Sequence, residues 1–121
     1  VRHYAACFDE AAWHFPNMAG LSLDAIRARG LGTVTATLTI DFHHEIRAGQ
    51  LILIRGALTR VGTKSFAHEM RLYEADSMTH CASQKAVEVC FDTAARTAVP
   101  LPEDIRDKLG SCVVQPAGKI A

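Results

Sequence analysis

The sequence has no surplus of charge of either sign: its 121 residues carry 13 Lys+Arg against 13 Asp+Glu, for zero formal net charge with His neutral. No Lys/Arg block makes up for this locally, so the electrostatic footprint of a nucleic-acid or acidic-membrane partner is missing. Long apolar runs are missing too. The run Leu51–Ile54 falls far short of the about 20 residues that span a bilayer. The four cysteines, Cys7, Cys81, Cys90 and Cys112, include no C-x-x-C pair, which argues against a zinc knuckle or a redox motif. In a chain this long they read as buried thiols of a reducing compartment rather than as a disulfide framework. There is no internal repeat, linker or low-complexity stretch. What is present is ordinary: 49% hydrophobic and 21% charged residues, which suits one domain around one core. The sequence opens at Val1, without initiator Met or signal peptide, directly into a helical pattern, as a fragment would.

Between His3 and Phe15 the apolar positions Tyr4, Phe8, Ala11, Ala12 and Phe15 form one helical stripe, with Arg2, Asp9, Glu10, Trp13 and His14 on the other side. Pro16-Asn17 ends this helix, because proline disfavours helical geometry in the residue before it. Ser22 then caps a short helix through Asp24, Ile26 and Arg29, closed by Gly30 and Gly32. From Thr33 the period changes to two. Val34, Ala36, Leu38, Ile40 and Phe42 alternate with Thr33, Thr35, Thr37, Thr39 and Asp41, which predicts a strand with one buried face. Further strands are expected over Gln50–Val61, with Gly56 at a bulge or close approach, and over Ser65–Glu74, with Phe66, His68, Met70 and Leu72 on one face. A fourth runs from Ala82 to Phe91, with Val87, Val89 and Phe91 sharing a side. Such short connections require antiparallel neighbours. Pro102 leads into a last short helix, Glu103–Leu109. The layout is α+β: an antiparallel sheet packed against one long N-terminal helix. One sheet face or edge stays poorly covered, so self-association is expected.

The run from Tyr4 to Ala11, the stretch Asp41-Phe42-His43-His44-Glu45-Ile46-Arg47-Ala48-Gly49 and the segment Val61-Gly62-Thr63-Lys64-Ser65-Phe66 together resemble the hot-dog thioesterases of the 4-hydroxybenzoyl-CoA thioesterase type. Asp92–Arg96 followed by Val99-Pro100-Leu101-Pro102 fits as well. The resemblance covers a single domain over residues 1–109, leaving 110–121 as a tail. It implies hydrolysis of acyl-CoA, or of acyl-carrier-protein thioesters, to a free thiol and a carboxylic acid, with no metal or bound cofactor. It also implies dimers or tetramers acting in the cytoplasm, each active site lying between two subunits. The family signature of an Asp and a Gly-His-x-Asn-like turn precedes the helix. The sequence opens inside that motif, so the first strand and the usual catalytic Asp are expected upstream of Val1, roughly 15 to 20 residues in all.

Thioester hydrolysis needs an activated water or a carboxylate nucleophile, and donors for the oxyanion. The free N–H groups of a helix N-terminus, here Val1–Tyr4, can be those donors. The resemblance implies that Asp9 sits near the acyl pocket, where a polar group would help choose the substrate. With the usual Asp upstream, it is the candidate catalytic residue within this sequence; solvation on the helix surface is the competing reading for Asp9 and Glu10. Tyr4 divides between substrate contact and core packing. The resemblance places Thr63, Lys64 and Ser65 at the CoA phosphates, where Lys64 would act as a mobile point charge; Arg60 and Arg96 are weaker candidates. His43 and His44 sit on adjacent strand positions that point to opposite faces, so they do not make a metal site. His68 reads as a hydrogen-bonded core histidine. Two alternatives stand beside the thioesterase. One is a non-catalytic hot-dog protein that binds acyl groups. The other is an enoyl-CoA hydratase using Asp9 and His14, which on one continuous helix would lie roughly 140° apart around the axis.

Overall fold

The computed structural model describes residues 2–12 and 22–113. The chain forms α1 (Arg2–Ala12), α2 (Leu23–Ala28), β1 (Leu31–Phe42), β2 (Ile52–Val61), β3 (Ser65–Glu74), β4 (His80–Asp92), the two-residue β5 (Thr97–Ala98) and α3 (Glu103–Gly110). The expected continuation of α1 through Phe15, its stop at Pro16-Asn17 and His14 of the hydratase reading lie outside the described residues, as does the tail beyond Val113.

All strand pairs are antiparallel, in the order β1-β4-β3-β2, with β5 added on β4. Alternation in β3 puts Phe66, His68, Met70 and Leu72 on one face, all buried. Their register partners in β4 include Ala82, Gln84, Ala86 and Glu88. This face carries the core. Phe8 of α1 inserts there with no exposed surface, and joins Leu58, Phe66, Met70, Leu72 and the α3 residues Ile105 and Leu109. The helices are held at their ends by local chemistry. The Ser22 side chain accepts a hydrogen bond from the Ala25 N–H. Gly30, at φ +74°, makes the left-handed exit from α2 that a side chain would resist. At the β3–β4 turn the buried Glu74 carboxylate accepts from the N–H groups of Asp76 and Ser77.

Two bulges change what the alternating pattern implied. In β1, Thr35 pairs with Glu88 but Thr37 pairs with Val87, so one residue, Ala36, is added. The apolar set therefore does not share a face. Thr33 and Thr35 lie on the helix side before the bulge, and Leu38, Ile40 and Phe42 lie there after it, while Val34 is opposite with Val89. An inserted residue shifts the period-two alternation by one and exchanges the faces. Nor is this apolar set buried within the chain: Val34, Leu38 and Phe42 are 47%, 52% and 49% exposed. β1 is an edge strand, and the contacts of α1 run chiefly to β2. In β2 the bulge falls at Thr59, between Leu58 and Arg60, rather than at Gly56, which pairs regularly with Met70.

The opposite sheet face is mixed, with Val34, Val87 and Val89 toward one end and a polar and aromatic cluster toward the other. There the His80 ring lies 4.7 Å from that of His43 and 5.4 Å from that of Tyr73, and the Arg55 guanidinium stands 5.7 Å above Tyr73. Burial first, then His43 and Arg71, hold His80 below the ordinary imidazole value, against the opposing pull of the Ala82 carbonyl and Glu69. A lowered folded-state value means that the unfolded chain binds more protons. Stability is then lost as pH falls below about 6.5 and on through the folded value. His80→Gln is expected to flatten the melting temperature as a function of pH in that window. Thermal unfolding of both proteins from about pH 7.5 to about pH 5 measures this, and parallel curves would contradict it.

Candidate active site

Because α1 leans toward β2, a groove stays open between α1 and β1. It holds two adjoining cavities of about 350 and 370 Å³ that share Asp9, Ala12, Thr35, His68 and Glu88. Leu23 and Ile26 of α2, with Leu31 and Phe66, close the first. Ala5, Ala6, Leu38 and Gln84 extend the second along α1. The groove thus has largely apolar walls, interrupted by Arg27, Thr33 and Gln84, and a polar centre.

Each polar group arrives there for a local reason. Asp9 is next in sequence to the buried anchor Phe8, so it stands exposed at the rim. The β1 bulge sets Thr35 opposite Glu88, and its hydroxyl lies 3.1 Å from Glu88 Oε1 and 3.0 Å from Oε2. His68, buried at 2% exposure, holds its Nε2 3.4 Å from Glu88 Oε1. The side chain of Glu88 keeps 15% exposure. A carboxylate at the rim can take a proton from water, and the inner carboxylate, held by a hydroxyl and an imidazole, can accept a further hydrogen bond.

Of the residues singled out in the sequence, Asp9 lines both cavities. Tyr4 does not. Its ring meets Phe42 edge-on at 5.1 Å, and its hydroxyl accepts a hydrogen bond from the Ile46 N–H, fastening the segment after β1 to α1. Thr63 and Lys64 lie in the β2–β3 turn, and Ser65 is the first residue of β3. Their carbonyls accept from Leu101, Cys90 and Gly62 respectively, and the side chains of Thr63 and Lys64 face solvent. None of the three lines either cavity, although Ser65 immediately precedes Phe66, which does. Arg60 is exposed, and Arg96 stacks its guanidinium 5.1 Å above Phe91. His43 meets Ser83 and His80, while His44 Nδ1 approaches the Glu45 carbonyl. Among the described residues no three His, Cys, Asp or Glu side chains gather as a metal site. No helix among them is long and apolar enough to cross a membrane.

Glu88 and Thr35 escaped the sequence reading. A signal for Glu88 existed: reading β4 by its positions 82, 84, 86, 88 and 90 exposes a carboxylate on an otherwise small and apolar core face. Thr35 carried no such signal, since only the bulge turns it inward.

A helix against an antiparallel sheet, with a polar-centred groove alongside, is the arrangement of a hot-dog domain. The sequence model of the thioesterase-like superfamily matches residues 1–109, and the chain belongs to that superfamily. A search of curated proteins finds no match. Among solved structures, the chain is similar to a 1,4-dihydroxy-2-naphthoyl-CoA thioesterase from Synechocystis, with 21% identity, 91% of this chain and 81% of that one covered, and a TM-score of 0.78. It is also similar to YbaW, a probable thioesterase from Escherichia coli, with 20% identity, coverage of 92% and 83%, and a TM-score of 0.76. A Staphylococcus aureus protein crystallised with CoA shares 15% identity over 90% of this chain and 68% of its own, with a TM-score of 0.82. At these identities the structures establish the shared hot-dog fold.

Proposed function

We propose that this protein hydrolyses acyl-CoA thioesters to free CoA and a carboxylic acid. The observation that carries this is the groove between α1 and β1, with the Asp9 carboxylate at its rim, in a domain of the thioesterase-like superfamily. Asp9 takes a proton from the attacking water, and the water oxygen bonds to the thioester carbonyl carbon. N–H groups at the start of α1 meet the charge developing on the carbonyl oxygen. Collapse breaks the C–S bond and releases the CoA thiolate, which is then protonated. No metal or bound cofactor takes part; CoA enters as part of the substrate. The similar Synechocystis enzyme, which acts on an acyl-CoA, and the similar S. aureus protein, which binds CoA, support CoA as the carrier. Thr63, Lys64 and Ser65 receive its phosphates, and the solvent-facing Lys64 supplies the charge.

The protein acts in the cytoplasm as a homodimer or homotetramer. The half-exposed apolar side chains of edge strand β1 support the assembly, since a second copy would cover them.

Release of free thiol from a panel of acyl-CoA esters tests the activity. Turnover above background supports it. Binding of CoA esters with no turnover on any of them would instead make the protein an acyl-binding module. Lys64→Ala is expected to weaken CoA binding about 2- to 5-fold, the scale of one exposed ion pair, with kcat unchanged. Calorimetric titration with CoA measures the affinity, and an unaltered Kd would take Lys64 out of the site.

A further inference from the structure

The mechanism above leaves the inner carboxylate unused. Glu88 is costly where it stands. A carboxylate on the core face of a central strand gives up hydration, and the fold compensates with the Thr35 hydroxyl and the His68 imidazole. Among the described residues that compensation is uneven: Oε1 receives both the Thr35 hydroxyl and His68 Nε2, whereas Oε2 receives the shared Thr35 hydroxyl alone. Each carboxylate oxygen has two acceptor directions, so Oε2 keeps one to spare. The side chain also lines both cavities of the groove and remains partly exposed, while His68 behind it is buried. Around this centre the walls are chiefly apolar, from Ala12, Leu23, Ile26, Leu31 and Phe66, with Arg27 and Thr33 also on the lining.

We infer that Glu88, positioned by Thr35 and His68, determines acyl specificity: its Oε2 accepts a hydrogen bond from a donor group carried by the acyl chain. The inference rests on the thioesterase reading and adds the substrate class to it. A plain hydrocarbon acyl group seated here would displace water from the carboxylate and return no hydrogen bond. Such a substrate leaves one acceptor direction of the carboxylate unfilled and without water, and the site discriminates against it. The shared chemistry is a hydrogen-bond donor, which a hydroxyl on an aromatic ring, a hydroxyl on an aliphatic chain or an amino group could each provide.

Matched ester pairs separate these sources: benzoyl-CoA against its ring-hydroxylated and amino-substituted forms, and hexanoyl-CoA against 3-hydroxyhexanoyl-CoA. In at least one pair the donor-bearing ester is expected to exceed its plain counterpart in kcat/KM by about 10- to 100-fold. Glu88→Met, similar in length but without the acceptor, should abolish that ratio while plain esters are still hydrolysed. Glu88→Gln keeps the contacts to Thr35 and His68 through its one carbonyl oxygen and puts an amide NH2, a donor only, where Oε2 stood, so it should lose the ratio with the core undisturbed. Equal kcat/KM within every pair, or a ratio that survives in Glu88→Met, would overturn the inference while leaving the thioesterase reading standing. If no ester is hydrolysed the thioesterase reading fails. The free acids of the same pairs, titrated calorimetrically, then decide about Glu88 separately. Tighter binding of a donor-bearing acid that is lost in Glu88→Met upholds its role, and equal binding within the pairs ends it.

Discussion

Asp9→Asn is expected to lower kcat/KM for acyl-CoA hydrolysis by about 100- to 10,000-fold, the range associated with loss of a general base. The change is nearly isosteric and removes only the capacity to take a proton. Asp9 is exposed on α1 and lines both cavities, so its replacement leaves no packing defect. Melting temperature and CoA affinity should therefore stay near those of the parent protein. Steady-state thiol release at saturating and limiting ester locates the loss in kcat rather than KM. Activity within a few-fold of the parent would show that Asp9 is a solvated helix residue, and the base would have to be sought elsewhere.

The second large effect concerns stability. Phe8→Ala is expected to destabilise the fold by about 3–5 kcal/mol, the usual cost of emptying a core aromatic site. Native domains are stable by only about 5–15 kcal/mol in total, so this one change removes a large share. Phe8 has no exposed surface and is the single fully buried side chain described in α1. Its ring is the helix's one fully buried anchor, in the core cluster with Leu58, Phe66 and Met70, and Tyr4, Cys7, Ala11 and Ala12 pack around it half-buried. Urea unfolding should show a lower midpoint with little change in slope. Phe8→Leu, which refills most of the volume, should recover much of the loss. A decrease below about 1 kcal/mol for Phe8→Ala would mean that α1 is anchored elsewhere.

The two predictions meet in α1, where neighbouring residues serve opposite ends. Phe8 points into the core and Asp9 to the groove, because successive helical positions lie about 100° apart. That division was legible in the sequence, where Phe8 fell on the apolar stripe and Asp9 off it. The elements of the sheet were legible too, because strand alternation follows from chemistry carried by each residue in turn. His68 was read as a hydrogen-bonded core residue, and it is buried against Glu88. Its neighbours were beyond reach. Val87, Val89 and Phe91 stand out in β4 as the apolar set, yet the face under the helix belongs to Ala82, Ala86 and Cys90, with Gln84 and Glu88 between them. Small residues are required where a helix presses on a sheet, and smallness is a weaker signal than hydrophobicity.

By itself the sequence determined the class of fold, the neutral surface, and the positions of helix and strands, since these rest on local periodicity and composition. The tertiary structure alone decided which residues meet in the groove. In β1 the alternation of Thr with apolar residues runs on without a break through Ala36. The bulge exists only as a mismatch between β1 and its partner β4, and it alone brings the Thr35 hydroxyl to the Glu88 carboxylate. Register is a property of two strands together, and no reading of one strand contains it.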